Sequence, residues 1–329
     1  MSEAAAAIGI GDRSLVARLR ERVPPAIAIE IALILVLLVI GAALSEQFRT
    51  LDNLANIYEQ ASVLLLVSLG QTVVILTGGI DLSFEGNIAL TGSILSGQVH
   101  GDVELLMPVI VGVLLIGTVA GLANGGLILL LRVHPLIVTL AIASVLQGAA
   151  LLYTQRPIGG MPDGFDSLAY GRIWGIPVGS TLVLVGFLIV GLLLKYTRLG
   201  RQIFAYGGDP AAARLVGIPV TRIVLFTYGL SGFLASATAI FLVARLGVGN
   251  PVNETPLNLS SITPVILGGT MLSGGRGGVV GTLLGVLLLQ TLSNLLNFLE
   301  VSTFYQWMIQ GFIVIAAVAS HLDRRRRRA

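Results

Sequence analysis

The sequence has no cysteine, a single lysine and only three histidines. The absence of cysteine excludes disulfides, thiolate catalysis and cysteine-ligated metals. The histidines, His100, His134 and His321, lie far apart and form no HExxH pattern, so no metal site is expected. The one lysine, Lys195, lies outside any GxxxxGK[ST] phosphate-binding loop. We therefore expect that this chain neither hydrolyses ATP nor holds a cofactor of its own.

Charged residues are also scarce, at 11% of 329 residues against 55% hydrophobic ones, and the mean hydropathy is +0.91. Soluble domains carry roughly 25% charged residues, so this chain lacks the polar groups to cover a soluble surface. It does contain apolar runs near the ~20 residues that a helix needs to cross a bilayer. These features indicate an integral membrane protein.

The apolar runs predict an all-α membrane protein with about ten transmembrane helices. The predicted spans are 25–44, 54–77, 82–99, 105–131, 135–154, 178–197, 221–245, 260–273, 278–299 and 303–321. The eighth is short for a crossing, so we expect some helices to be short or discontinuous, as in transporters with interrupted helices. Residues 1–24 are polar and contain arginine. The apolar run after them is longer than the core of a cleaved signal peptide, which predicts a cytoplasmic tail.

The basic residues predict the orientation of the chain. If the N-terminus is inside and ten spans alternate, all Lys and Arg residues except Arg49, Arg156, Arg172 and Arg245 lie inside. Basic loops favour the cytoplasmic side, so both termini are expected there. The transmembrane domain then covers 25–321. The basic tail 322–329 is expected to anchor the last helix to anionic headgroups. This one-sided distribution of charge argues against nucleic acid as a partner.

The longest cytoplasmic connection, 198–222, has helix signals of its own. Gly207 and Gly208 are expected to break any preceding helix. Asp209 is a good N-cap residue, Pro210 suits the first helical position, and an alanine-rich run follows. A glycine and a proline then end the pattern. The sequence therefore predicts a short, exposed helix here, which is more structure than a simple connector needs.

Two carboxylates lie at membrane depth, where charge is costly and usually faces a cavity or a partner. Asp81 and Glu85 are four residues apart and would share one face of a helix. Asp81 is either a polar contact that shapes the translocation path or holds a broken helix, or it is the cap of a helix that begins near Leu82. The two roles are compatible. A proton relay is a third possibility, although Lys, Arg and His are scarce in the spans.

Several amide side chains lie within the apolar spans. They are Gln71, Asn87, Asn124, Gln147, Gln290, Asn294 and Gln310. An uncharged, hydroxylated solute would suit amides along its route. For any one of them, a hydrogen bond between helices, which contributes under ~2 kcal/mol, is the favoured interpretation. A short internal repeat adds to this picture: 77–83 matches 267–273 at four positions, and transporter sites often lie where such repeats meet.

At these motifs the sequence resembles the permease subunits of ribose-type ABC importers. The matching segments occur in the same order in both, and they are 71–83, 121–125, 135–140, 200–218, 267–270 and 274–278. Each segment alone is a weak signal, whereas the ordered set is specific. The resemblance covers the chain from about Gln71 to Val318.

The resemblance implies a bacterial inner-membrane subunit that imports a monosaccharide or a related polar solute. Such permeases form homodimers or heterodimers and dock on cytoplasmic ATPase subunits, which bind ATP and Mg²⁺. A periplasmic binding protein delivers the solute. The helix near 209–216 would be the coupling helix that transmits closure of the ATPase.

The residues expected to carry these roles form two sets. The set expected along the translocation path is Asp81, Ser83, Glu85, Gln71, Asn87, Asn124, Gly268, Gly269 and Asn294. The set expected to couple to the ATPase is Arg201, Gly207, Gly208, Asp209, Ala212, Arg214 and Gly217.

The sequence departs from the family pattern at a few positions. Asp209 stands where the family usually has asparagine, and Phe84-Glu85 stands where it often has Val-Gly. A carboxylate at Glu85 would either alter the solute class or face solvent. Two alternatives remain open: an ABC permease for branched-chain amino acids or nucleosides, and a proton-coupled carrier that works alone. No Ser/His/Asp constellation is present, so an enzyme is not expected.

Overall fold

The computed structural model describes residues 25–252 and 257–326. The predicted tail 1–24, the end of the basic tail at 327–329, and the outer-loop residues 253–256 lie outside the described residues. The long helices are α1 Pro25–Leu44, α2 Leu51–Leu76, α3 Phe84–Val99, α4 Val103–Leu131, α5 Pro135–Tyr153, α7 Val178–Tyr196, α10 Val220–Leu246, α12 Val279–Phe298 and α13 Thr303–Arg326. The shorter ones are α6 Ser167–Tyr170, α8 Arg198–Gly208, α9 Pro210–Leu215 and α11 Leu257–Leu267.

The protein is an all-α membrane protein. Within the described residues, seven helices are long and apolar enough to cross a bilayer, namely α1, α2, α4, α5, α7, α10 and α12. The other predicted spans overlap helices α3, α11 and α13, and α11 ends at Leu267, six residues before the predicted end of its span. With a rise of about 1.5 Å per residue, the 16 residues of α3 and the 11 of α11 are too short to cross ~30 Å of hydrocarbon alone. Helix α13 continues into the first residues of the predicted basic tail.

The repeated motif forms the same kind of helix end twice. In α2, Gly78 has a φ of +79°, and the N–H groups of Gly78 and Gly79 donate to the carbonyls of Ile75 and Val74 at 2.8 and 3.2 Å. After the end of α11, Gly269 has a φ of +80°, and the N–H groups of Gly269 and Thr270 donate to the carbonyls of Ile266 and Val265 at 3.0 and 3.1 Å. Both ends are Schellman motifs, which favour glycine in the left-handed position. The structural repeat therefore aligns Gly78 with Gly269, whereas the sequence match aligns Gly78 with Gly268.

Helices α4 and α10 cross at close range because glycine lies on both sides of the contact. A Cβ atom at Gly117 would lie 2.6 Å from the carbonyl oxygen of Gly232, and one at Gly121 would overlap the backbone of Tyr228. Glycines spaced by four residues on α4 therefore allow backbone-to-backbone packing, as in other membrane helix pairs. This crossing holds α10 against the start of α3, where Asp81 lies.

The connection between α5 and α7 contains a small hairpin that the sequence analysis did not predict. Strands β1 Arg172–Ile173 and β2 Ile176–Pro177 pair antiparallel around a Trp-Gly turn. Arg172 forms ion pairs with Glu59 at 2.8 Å and with Asp52 at 3.1 Å. The hydrogen bond to Glu59 is the main cause that raises the pKa of Arg172. The hairpin is thereby fixed to the first turns of α2.

The connection 198–222, which was predicted to be cytoplasmic, contains the predicted short helix, α9. Asp209 caps α9, and its Oδ1 accepts the N–H groups of Ala211 and Ala212 at 2.9 and 3.0 Å. The preceding helix α8 ends at Gly208, so it stops at the predicted glycine pair, and both glycines are its last helical residues. Gly207 is needed for another reason: a Cβ atom there would overlap the carbonyl oxygen of Leu76.

Candidate functional site

A cavity of about 570 Å³ opens at one end of the helix bundle. It is bounded by the first half of α2, the middle of α3, the C-terminal ends of α10 and α12, and the starts of α11 and α13. In the orientation predicted from the basic residues, this end is the external one. The six amide side chains in its lining are Gln60, Asn250, Gln290, Asn297, Gln306 and Gln310.

The polar lining is uncharged except at one position. Among the described residues, the only ionisable side chain that lines the cavity is Arg245, near the end of α10. The same lining contains the indole of Trp307 and the hydroxyl groups of Ser260 and Ser293. An amide offers donors and acceptors together, as a hydroxyl group does. The cavity is therefore chemically suited to a neutral solute that carries several hydroxyl groups.

The amides pair with one another across the cavity. Gln290 on α12 donates from Nε2 to Oε1 of Gln60 on α2 at 3.2 Å. Gln306 on α13 donates to Oδ1 of Asn297 at 2.7 Å and to the carbonyl of Val301 at 3.0 Å. These are neutral hydrogen bonds, whose net contribution is about 1 kcal/mol each. A hydroxylated solute can replace them without leaving an unpaired charge.

Asp81 lies in a separate, fully buried hydrogen-bond network. It is 1% exposed, and its Oδ1 accepts both the N–H of Ser83 at 2.8 Å and the hydroxyl of Ser83 at 2.6 Å. Its Oδ2 accepts the hydroxyl of Ser231 on α10 at 2.5 Å. Asn124 on α4 donates to the Ser83 hydroxyl at 2.8 Å. The network therefore ties the break between α2 and α3 to two neighbouring helices.

The interpretation of Asp81 as an N-cap at Leu82 is wrong. Helix α3 begins at Phe84, with Ser83 at the N-cap position, so Asp81 precedes the helix by three residues. For the same reason Asp81 and Glu85 do not share a helix face. The Glu85 carboxylate instead accepts the N–H of Asn258 at 2.9 Å, in the first turn of α11. A negative charge at that position is favoured by the helix dipole.

The remaining residues predicted for the translocation path lie in helix contacts. Asn87 bonds to Ser236 at 3.2 Å and to two backbone carbonyls. Asn294 and Asn53 exchange two bonds of 3.1 Å. Gln71 is fully buried, and its amide has no hydrogen-bond partner among the described residues. Gly268 packs against Gly281 of α12 at backbone distance. None of the nine predicted residues lines the cavity.

Sequence reasoning singled out two cavity amides, Gln290 and Gln310, and missed the others. A signal was present in the spacing of the polar residues. Gln290, Ser293 and Asn297 follow one another at three and four residues, and Gln306 and Gln310 are four apart. Such spacing places polar side chains on one face of a helix. The two stripes face the same space in the structure.

The predicted coupling residues lie together at the opposite end of the bundle. Arg201 is exposed on α8, Ala212 and Arg214 are exposed on α9, and Gly217 has a φ of +77° in the turn after it. Two apolar side chains that were not predicted stand beside them. Leu215 is 89% exposed and Val216 is 75% exposed. In the part of the chain that the structure describes, no group of three or more His, Asp or Glu residues could hold a metal ion.

Comparison with known proteins decides the family. The family model described as branched-chain amino acid transport system / permease component matches residues 53–318. The chain belongs to this permease family. The ribose import permease protein of Escherichia coli K12 is 40% identical over 290 residues, covering 87% of this chain and 90% of that protein. Its counterpart in Bacillus subtilis is 39% identical over 294 residues, covering 88% and 90%.

A third relative, the D-allose transport system permease protein of Escherichia coli K12, is 33% identical over 293 residues and covers 89% of both chains. No solved structure matches this chain. The family resemblance expected from the motifs is thus confirmed. The protein is a multi-pass inner-membrane permease subunit of an ABC importer and not an enzyme. Subunits of this kind work with an ATPase, which hydrolyses ATP, and with a binding protein.

Proposed function

We propose that this permease imports a neutral monosaccharide, which reaches the membrane through the amide-lined cavity. The observation that carries the proposal is the uncharged lining, with Arg245 as its one ionisable side chain among the described residues. The names of the relatives, which refer to ribose and allose, agree with it. A pentose or hexose has several hydroxyl groups and no charge. Amides and an indole can therefore make hydrogen bonds to its hydroxyl groups, and no charge on the solute is buried.

A branched-chain amino acid fits this cavity less well, although the family description mentions that solute class. An amino acid carries an ammonium and a carboxylate group, and moving either from water without a partner is costly. Arg245 can pair with the carboxylate, but no anionic side chain among the described lining residues can pair with the ammonium group. The cavity chemistry therefore favours the sugar.

A proton-coupled carrier is also less well supported. Asp81 accepts three hydrogen bonds inside the network that fixes the helix break. Glu85 accepts a backbone bond at the start of α11. Each carboxylate therefore has a structural role, and the two are attached to different helices. We propose that transport is driven by ATP and Mg²⁺ bound to partner subunits, with no cofactor in this chain.

The proposed topology has ten spans with both termini in the cytoplasm. Helices α3 and α11 are short, and each lies next to a Schellman-type break, so each forms a partial crossing completed by the adjacent non-helical segment. Such breaks are tolerated where the backbone is covered by protein. Of the predicted path residues, Asp81, Ser83 and Gly269 lie in these breaks and Asn124 is bonded to Ser83, whereas Asn294 is bonded to Asn53 in the first turn of α2. We assign those at the breaks to the moving part of the route.

The proposed partners are one or two cytoplasmic ATPase chains, a periplasmic binding protein and a second permease copy or paralogue. Helix α9 is the proposed docking site for the ATPase. It is a capped helix that exposes Leu215 and Val216 beside two arginines, Arg201 and Arg214. An exposed apolar tip with a polar rim has the composition of a small protein interface.

The function is tested by uptake of radiolabelled sugars into proteoliposomes that contain the permease with the ATPase and binding protein of the same host. We expect uptake of a pentose or hexose that requires ATP and the binding protein. Unlabelled leucine and adenosine are added as competitors to the complete system of permease, ATPase and binding protein. Uptake by the permease alone, without ATP and abolished by a protonophore, would contradict the proposal. Competition by leucine but by no sugar would show that the solute is an amino acid and not a sugar.

The docking site is tested by Leu215→Asp combined with Val216→Asp. Two charges at the centre of the proposed interface would lose their hydration on docking, and such central positions carry most interface energy, ~2 kcal/mol or more each. We expect the ATPase recovered with the purified permease to fall more than about tenfold. Thr221→Asp, an exposed position at the start of α10, is the matched control. Undiminished recovery with the double variant would exclude α9 as the main docking site.

A further inference from the structure

Three backbone segments meet at the end of the bundle that carries α9. They are the end of α2 at 76–78, the end of α8 at Gly207, and the loop at 273–275 that follows the break in α11. We call this contact the glycine junction. The N–H of Gly275 donates to the carbonyl of Leu76 at 3.0 Å. The contact therefore joins the two helix breaks directly.

Gly207 lies at the centre of the junction. A Cβ atom there would overlap the Leu76 carbonyl oxygen and would lie 2.6 Å from the nitrogen of Gly275. From the other side, a Cβ atom at Gly274 would lie 2.8 Å from the carbonyl oxygen of Gly207 and 2.7 Å from the nitrogen of Gly78. The atoms that would be struck belong to the backbone. Unlike the end of a flexible side chain, they cannot rotate away.

The junction is connected to functional parts in both directions. Asp209, two residues after Gly207, is the residue that caps α9. On the other side, Asp81 follows Gly78 by three residues and is bonded to α10 and, through Ser83, to α4. Close-packed interiors have low compressibility and transmit displacement. A shift of α9 therefore moves Gly207 against the backbone of both helix breaks.

We propose that Gly207 is the positioning residue through which movement of α9 reaches the breaks after α2 and α11. This inference rests on the proposed function, because it takes α9 to be the element that the ATPase moves. It adds a specific route: backbone contact at one glycine, with no side chain between the segments. A second, independent prediction follows, that α9 and the loop at 273–275 move together as one body.

The test compares Gly207→Ala with Gly126→Ala. Both change a helical glycine to alanine, in α8 and in α4, so the change in helix propensity is matched, and Gly126 belongs to neither predicted set. A Cβ atom at Gly126 meets nothing within 4 Å, whereas one at Gly207 meets the junction. The measurement is the number of sugar molecules imported per ATP hydrolysed, in proteoliposomes with the ATPase and binding protein. The amount of bound ATPase is measured in the same samples.

For Gly207→Ala we expect normal ATPase recovery, continued hydrolysis, and a ratio lowered by about fivefold or more, within the range reported for changes along coupling networks. Gly126→Ala should keep the wild-type ratio. A wild-type ratio in Gly207→Ala, or an equal loss in Gly126→Ala, would overturn the inference. If the wild-type protein itself shows no ATP-driven uptake, the proposed function fails instead, so the two failures are distinguishable.

A second measurement does not depend on the folding of the alanine variant. The chain has no cysteine, so spin labels can be attached at introduced cysteines alone. Ala211 on α9 and Leu272 in the loop after α11 are both exposed. In a complex with one labelled copy, we expect the distance between the labels to stay the same on addition of ATP. A change of several ångströms would show that the junction is not rigid and would overturn the inference.

Discussion

Asp81→Leu is expected to lower the free energy of unfolding by about 3 kcal/mol or more and to abolish uptake, because it leaves buried hydrogen-bond donors without an acceptor. The donors are the backbone N–H and hydroxyl of Ser83 and the hydroxyl of Ser231. Each unsatisfied buried group costs about 1–3 kcal/mol. The loss would fall on the break between α2 and α3.

The change in the free energy of unfolding is measured by thermal unfolding of the purified protein in detergent, with intrinsic fluorescence as the signal. Ser231→Ala removes one donor and should cost about 1 kcal/mol. The combined variant Asp81→Leu, Ser231→Ala removes the Ser231 donor with its acceptor, so it should recover part of the stability lost in Asp81→Leu; Ser83 is kept because its hydroxyl accepts from Asn124. If Asp81→Leu unfolds at the wild-type temperature, the network does not hold the break.

The same variants separate two roles for Asp81. If the carboxylate only fixes the helix break, uptake should follow stability across the series, and the combined variant should regain some transport. If Asp81 contacts the solute, the combined variant should stay inactive although it is stable. Because Asp81 does not line the cavity, we expect the first pattern in this chain.

Gln290→Glu is expected to reduce sugar uptake by more than about tenfold at neutral pH, because it places a negative charge in the cavity without changing side-chain size. Gln290 bonds to Gln60 across the cavity, and the carboxylate would lose hydration when a neutral solute fills the space. Burial of an unpaired charge is far more costly than loss of one neutral hydrogen bond, and Arg245→Gln in the same background removes the one cationic side chain of the described lining that could pair with it. The measurement is initial uptake rate against sugar concentration.

The pH dependence of this variant supplies a further check. A glutamate has an ordinary pKa of about 4.3, and protonation restores a neutral group of the same shape as the amide. The defect should therefore diminish as the external pH falls, relative to wild type at the same pH. Gln98→Glu is the matched control, since Gln98 is exposed on α3 outside the cavity. Equal loss in both variants, or no loss in Gln290→Glu, would exclude the cavity as the sugar route.

Ends of helices with strong local signals could be predicted closely, whereas side-chain partners could not. The apolar run of α1 was predicted at its observed bounds, and Asp209 was predicted to be the N-cap residue of α9. Both predictions depend on residues adjacent in sequence. The partner of Asp81, Ser231, lies 150 positions away. No pattern along the chain indicates such a contact.

The glycines show the same division. The matching motifs at 77–83 and 267–273 indicated an internal repeat, and in the structure each motif begins at a helix end of the same geometry. Gly207 was predicted as part of a helix break, and α8 does end one residue later, at Gly208. The steric requirement for Gly207 comes from Leu76, on another helix. Likewise, amides on α12 and α13 became a cavity lining only when these helices faced Gln60 on α2.

The sequence by itself determined the membrane character, the positions of most long helices, the capped helix α9 and the family, because hydropathy, capping signals and ordered motifs are all local properties of the chain. The tertiary structure alone decided which polar groups line the cavity, which ones hold Asp81, and which glycine joins the helix breaks. These depend on the packing of helices distant in sequence, where a single backbone contact or hydrogen bond has no counterpart in local composition.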